Sequence, residues 1–126
     1  MIQENTLSVR KLEQEISRFM LELGVPAHLR GYQYLRSAVE MCTNDMELVG
    51  SVTKLLYPDL AKLYRTTDQK IERAIRNAIE VSWERGNGDL FEQLFGYSNS
   101  PEYGRPTNSE YIATVADHIR LTYGLV

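Results

Sequence analysis

The sequence predicts an all-α fold of about six helices, two of which form a helix-turn-helix. Three observations carry that expectation. Apolar residues recur at spacings of three and four through several long stretches, no stretch alternates apolar and polar residues as a strand does, and helix start and stop signals punctuate the apolar stripes. At 126 residues the chain suits a single domain, 1–126, with residues 1–8 as a lead before the first helix, and it is long enough to bury a core without disulfide or metal staples.

Each element has its own justification. Val9, Leu12, Ile16, Phe19, Met20 and Leu23 form the first stripe, which stops at Gly24 with Pro26 just beyond. Tyr32, Leu35, Val39 and Cys42 form the second. Asn44 with Glu47 reads as a capping box opening a short helix through Leu48 toward Val52. Pro58 suits the first turn of the next helix, Tyr57 to Tyr64, where its missing N–H is no loss. Thr66 with Gln69 is a candidate capping box for the following helix, with Thr67 and Asp68 as alternative caps. That helix stops at Arg85-Gly86-Asn87-Gly88, and a short one from Asp89 to Phe95 follows. Gly96 to Pro106, rich in Gly, Ser, Asn and Pro, is the one substantial loop. Thr107 and Glu110 cap the last helix, whose apolar face carries Ile112, Val115, Ala116 and Ile119.

Composition excludes several classes. Hydrophobic residues at 43% and charged ones at 25% are ordinary for a soluble globular protein. No run of 18 apolar residues and no basic-then-apolar N-terminus occurs, so neither a membrane span nor a secretory signal is expected. The single cysteine, Cys42, has no partner for an internal disulfide and fits a buried position in a cytoplasmic protein. His28 and His118 lack Cys, Asp or Glu at metal-ligand spacing. Gly86-Asn87-Gly88 lacks the strand-before context of a phosphate loop, and no nucleophile elbow is present. No enzyme activity, metal or cofactor is expected.

The helix from Thr66 to Glu80 is the informative segment. Stepping 100° per residue gathers Ile71, Ile75, Ala78, Ile79 and Ser82 on one side, and Gln69, Glu72, Arg73, Arg76 and Glu80 on the other. The polar row admits two readings. In one it is a solvated surface on which Glu72 and Arg76 pair at i,i+4, contributing a few tenths of a kcal/mol. In the other, guanidinium forks bond O6 and N7 of guanine and a carboxylate accepts from cytosine N4, from the N-terminal half of a recognition helix. Lys62, Arg65 and Lys70 flank the turn and could clamp phosphates, or stay free in solvent. The net charge of −3 argues mildly against nucleic acid, but its distribution softens that. From Lys54 to Arg85 seven basic residues face five acidic ones, so this window is net +2 and the remainder −5.

Gly24-Val25-Pro26-Ala27-His28, Gly31-Tyr32, Gly50-Ser51-Val52-Thr53-Lys54 and Leu56-Tyr57-Pro58 occur in order along the chain. Ile71-Glu72-Arg73-Ala74-Ile75-Arg76, Ala78-Ile79-Glu80-Val81, Arg85-Gly86-Asn87, Leu94-Phe95-Gly96-Tyr97 and Pro106-Thr107-Asn108-Ser109-Glu110 follow. Through these runs, from about Leu12 to Leu121, the chain resembles the C-terminal effector domain of the stage-zero sporulation response regulators. The resemblance implies an all-helical DNA-binding domain recognising promoter elements of TGTCGAA type, often as tandem dimers. It places Glu72, Arg73 and Arg76 at base-reading positions. Gln69-Lys70 stands where the family often has Ser-Arg, and Lys keeps the charge but loses the planar fork. Asn77 stands where His is common.

Two departures shape the functional expectation. Family members normally carry an N-terminal phosphoacceptor receiver domain. This chain starts at Met1 with a short polar lead, and so reads either as an excised fragment or as a stand-alone protein without that switch. Around Gly88-Asp89-Leu90-Phe91 and the loop to Tyr103, a surface the family uses to engage the RNA polymerase sigma factor, the match is poor outside Leu94 to Tyr97, which puts that contact in doubt. Phe91, Phe95 and Tyr97 are expected to pack in the core. The expected partner is double-stranded promoter DNA, with a homodimer on tandem sites. The competing expectation is a receiver-less interaction module that dimerises with a full-length relative and alters its promoter occupancy.

Overall fold

The computed structural model describes residues 8–99 and 104–124. Ser8 accepts from the Lys11 N–H at 3.1 Å and starts α1, Val9–Glu22. Gly24, with φ +83°, ends the turn after it as the stop signal predicts. Arg30–Asn44 form α2. The Asn44–Glu47 capping box does not form. Asn44 is still helical at the end of α2, and Asp45 caps instead, accepting from the Glu47 N–H at 3.1 Å. A 3₁₀ turn, Met46–Gly50, follows, and a wide π-type turn, Val52–Leu56, runs directly into α3, Tyr57–Tyr64. Pro58 lies in the first turn of α3.

Thr67, one of the alternative caps, starts α4, Asp68–Arg85; its hydroxyl accepts from the Lys70 N–H at 3.2 Å. Asn87 accepts from the N–H groups of Asp89 and Leu90 and opens α5, Gly88–Phe95, one residue earlier than expected. The Thr107–Glu110 capping box is present in full at the head of α6, Asn108–Tyr123. Among the described residues there is no strand, and no helix is long and apolar enough to cross a membrane. The lead before the first helix, apart from Ser8, and the middle of the Gly96–Pro106 loop lie outside the described residues.

The predicted stripes meet in one core, with Ile16, Met20, Leu35, Val39, Leu60, Ile75, Ile79, Ile112 and Val115 at or near zero exposure. Helix α2 is its axis, packed against both α4 and α6. The α2–α4 contact is so close that a Cβ on Gly31 would lie 2.1 Å from the Ala74 carbonyl oxygen, so only glycine fits there. Buried polar atoms are paired at the next junction. Ser82 Oγ donates to the Leu23 carbonyl at 2.7 Å and lies 2.6 Å from the Tyr111 hydroxyl, tying α4 to the end of α1 and to α6. Phe91 is buried against Trp83, ring centroids 4.4 Å apart, while the partly buried Phe95 and Tyr97 meet Trp83 edge-on, in line with their expected packing.

At the far end, α1 and α6 are joined by a buried carboxylate. One Glu15 oxygen takes Arg18 at 2.8 Å and Lys11 at 3.8 Å, and the other accepts from the Tyr123 hydroxyl at 2.8 Å. His118 stacks on Phe19 at 4.5 Å, a packing role, and His28 is exposed.

Candidate nucleic-acid interface

The α3–α4 connection is a three-residue turn, Arg65 to Thr67, and its geometry is set by two caps. Helix α3 ends on Arg65 in the left-handed region, φ 55° and ψ 50°. The Thr66 N–H bonds the Ala61 carbonyl at 2.9 Å and the Arg65 N–H that of Lys62 at 3.4 Å, the pairing of a Schellman motif. Glycine is the residue such a position favours, and a side chain there costs about 1–2 kcal/mol. Thr67 then caps α4, with Asp68 in its first turn complementing the helix dipole.

Helix α4 divides as the periodicity requires. Ile71, Ile75, Ala78, Ile79, Ser82 and Trp83 are buried. Gln69, Lys70, Arg73, Arg76 and Asn77 are exposed, and Glu72 is half-buried. Arg76 Nη1 lies 3.3 Å from Glu72 Oε2, the i,i+4 pair of the solvated-surface reading. Both partners are more than a third exposed, and an ion pair so placed contributes no more than about 1 kcal/mol, so it leaves Arg76 free to exchange partners.

An open groove of ≈ 1070 Å³ runs along one side of α4. Arg30, Arg65, Lys70, Arg73, Arg76 and Arg105 line it with a single carboxylate, Glu80, so positive charge is far denser here than the whole-chain balance suggests. Asn77 lines it as well. Its wall is built from aromatic rings: Tyr34 of α2 and Tyr64 of α3 meet edge-on at 4.8 Å, and the Tyr64 hydroxyl lies 2.5 Å from that of Ser37. Asp68, Gln69, Glu72, Arg73 and Arg76 border a second depression with Thr53 and Tyr57. Lys62 is exposed on α3, outside the lining of both.

The exposed row of α4 is braced from behind. Asn108, at the head of α6, donates to the Tyr57 hydroxyl at 2.9 Å and to the Glu72 carbonyl at 3.2 Å, fixing α3 and α4 to α6. Burial pushes the Tyr57 phenol up, partly offset by the hydrogen bond its oxygen accepts from Asn108.

The structure therefore brings Glu72, Arg73, Arg76, Gln69, Lys70, Asn77 and Arg65 to one surface. Sequence reading missed Arg30 and Arg105. Arg30 reaches the groove because α2 packs on α4 through Gly31, and Arg105 because α6 is pinned there by Asn108. Both placements are tertiary, and no local pattern announces them. Among the described residues no group of His, Cys, Asp or Glu is arranged to hold a metal ion. Residues 16–119 match the family model described as sporulation initiation factor Spo0A C terminal.

Proposed function

This chain belongs to the family of sporulation initiation factor Spo0A C-terminal domains, and from that membership we propose that its α3–α4 unit binds promoter DNA sequence-specifically. The family is one of DNA-binding effector domains of a sporulation regulator and is not an enzyme family. The observation that carries the finer reading is the exposed row of α4, set beside a groove rich in cations on the second helix of a helix-turn-helix. Arg73 and Arg76 offer planar forks for O6 and N7 of guanine, and Glu72 an acceptor for cytosine N4. Arg65, Lys70 and Arg30 are positioned to clamp phosphates, with Gln69 and Asn77 as further polar contacts at the rim. Lys62 stands farther off and suits at most a phosphate at the edge.

The competing reading, pairing with a full-length relative without productive DNA binding, draws on the −5 balance outside the Lys54–Arg85 window. Fluorescence anisotropy titration of a TGTCGAA-type duplex and a scrambled duplex, at two salt concentrations, separates the two. The proposal expects saturable binding, tighter for the element, that weakens steeply with salt. No binding to either duplex, with co-elution of a full-length relative, replaces it with the competing reading.

A further inference from the structure

Arg105 lies outside the helix-turn-helix, on the segment leading into α6, yet its guanidinium reaches α4: Nη2 sits 3.0 Å from Glu80 Oε2. Both side chains are about two-fifths exposed (42% and 41%), so the pair faces solvent. Arg105 also borders two depressions beside Arg76: the large groove, and a third, smaller depression, separate from the one that Asp68 and Gln69 border, lined with Tyr57, Glu72 and Ser109. Its backbone is held from the α6 side. Pro106 is buried, Thr107 is locked by the capping box, and Asn108 bonds the Glu72 carbonyl. A guanidinium on an anchored backbone, ending next to the exposed row of the recognition helix, is poised to contact whatever that row contacts.

Two acid–guanidinium pairs thus run along the outer side of α4, Glu72 with Arg76 and Glu80 with Arg105. The first is local, at helix spacing. The second joins residues far apart in sequence and needs the α6 anchor to exist. A carboxylate and a phosphate present the same acceptor geometry to a guanidinium fork. Exposed pairs of this kind are weak enough to be displaced by a polyanion.

We propose that Arg105 is a phosphate-contact residue supplied from outside the helix-turn-helix, and that Glu80 is its resident partner in the free protein, exchanged for a DNA phosphate on binding. This inference rests on the DNA-binding reading. It makes Glu80 a brake on affinity and Arg105 a contact that is blind to base sequence. Because the release of one counterion accompanies each neutralised phosphate, losing Arg105 has a defined signature in the salt dependence.

The test is a double-mutant cycle with Arg105→Ala, Glu80→Gln and the double variant, titrated against element and scrambled duplexes over a range of salt. Thermal melting confirms that each is folded, and Arg73→Ala serves as the reference for a base contact. Arg105→Ala is expected to weaken both duplexes by the same factor and to lower the slope of log K against log salt by about 0.9. Arg105→Lys should retain most of that slope. Glu80→Gln is expected to tighten binding about two- to fivefold, the range of an exposed ion pair. In the Arg105→Ala background that gain should largely disappear. An Arg105→Ala variant with the parent's affinity and slope, while Arg73→Ala is impaired, overturns the proposal and leaves the DNA-binding reading standing. A Glu80→Gln gain undiminished by Arg105→Ala overturns the exchange, because Glu80 then acts by simple repulsion. A parent that binds neither duplex overturns both.

Discussion

The two sides of α4 differ in what holds their side chains. On the inner side Ile71, Ile75, Ala78 and Ile79 are fully buried, Ser82 makes two hydrogen bonds, and Gly31 of α2 presses directly on the helix backbone. On the outer side long polar chains stand in solvent, and the two ion pairs among them are exposed. One helix therefore serves two purposes that barely interfere. The inner side fixes where α4 lies, and the outer side is free to change partners. Mutations should separate accordingly, with inner changes moving stability and outer ones moving binding.

The largest effect should come from the inner side. Ile75→Ala leaves a cavity among fully buried neighbours and is expected to lower unfolding stability by about 2–5 kcal/mol in a urea titration. DNA affinity, measured where the variant is still folded, should change little. Ser82→Ala strands the Leu23 carbonyl and the Tyr111 hydroxyl in the interior, with an expected loss of about 1–3 kcal/mol by the same measurement. A loss below the error of the titration would show that the junction relaxes around the missing hydroxyl.

The turn between the helices gives a test in which the two quantities move in opposite directions. Arg65→Gly relieves the left-handed backbone and should raise stability by about 1 kcal/mol, while removing a cation from the groove and weakening every duplex. If stability rises and binding is unchanged, Arg65 is not part of the interface.

The smallest effect concerns Cys42, fully buried on α2. Burial, with a contribution from Asp45, pushes its thiol up from the ordinary 9.0 to about 11. A raised folded value means that its contribution to stability is complete below pH 9 and is lost as pH rises toward 11. The parent should therefore lose more stability than Cys42→Ala over that interval in parallel melts. At neutral pH the native protein should resist iodoacetamide until it is unfolded.

The elements legible in the sequence are those whose determinants are local. Both members of the Thr107–Glu110 box lie within one turn, and the α4 stripe is a matter of spacing alone, so both were open to direct reading. The Asn44–Glu47 box has the same pattern and fails, because α2 continues through Asn44 and the tighter 3₁₀ turn takes its cap from Asp45. Arg65 at a position that favours glycine carries no sequence signal, since the left-handed turn is imposed by the helices on either side. At the proposed interface, the α4 row was legible from periodicity. Arg30 and Arg105 were not, because their places depend on a backbone contact at Gly31 and on a hydrogen bond from Asn108.

Base reading by the outer side of α4 can be tested by coupling one side chain to one base atom. Parent and Arg76→Ala are titrated against a TGTCGAA-type duplex in which each guanine in turn is replaced by 7-deazaguanine, which lacks the N7 acceptor. If Arg76 bonds a guanine N7, one such replacement weakens the parent by about 1–3 kcal/mol, and Arg76→Ala, already weakened by a similar amount, is indifferent to that same replacement. Equal losses for parent and variant at every guanine, or an Arg76→Ala variant that binds the element as tightly as the parent, would contradict it.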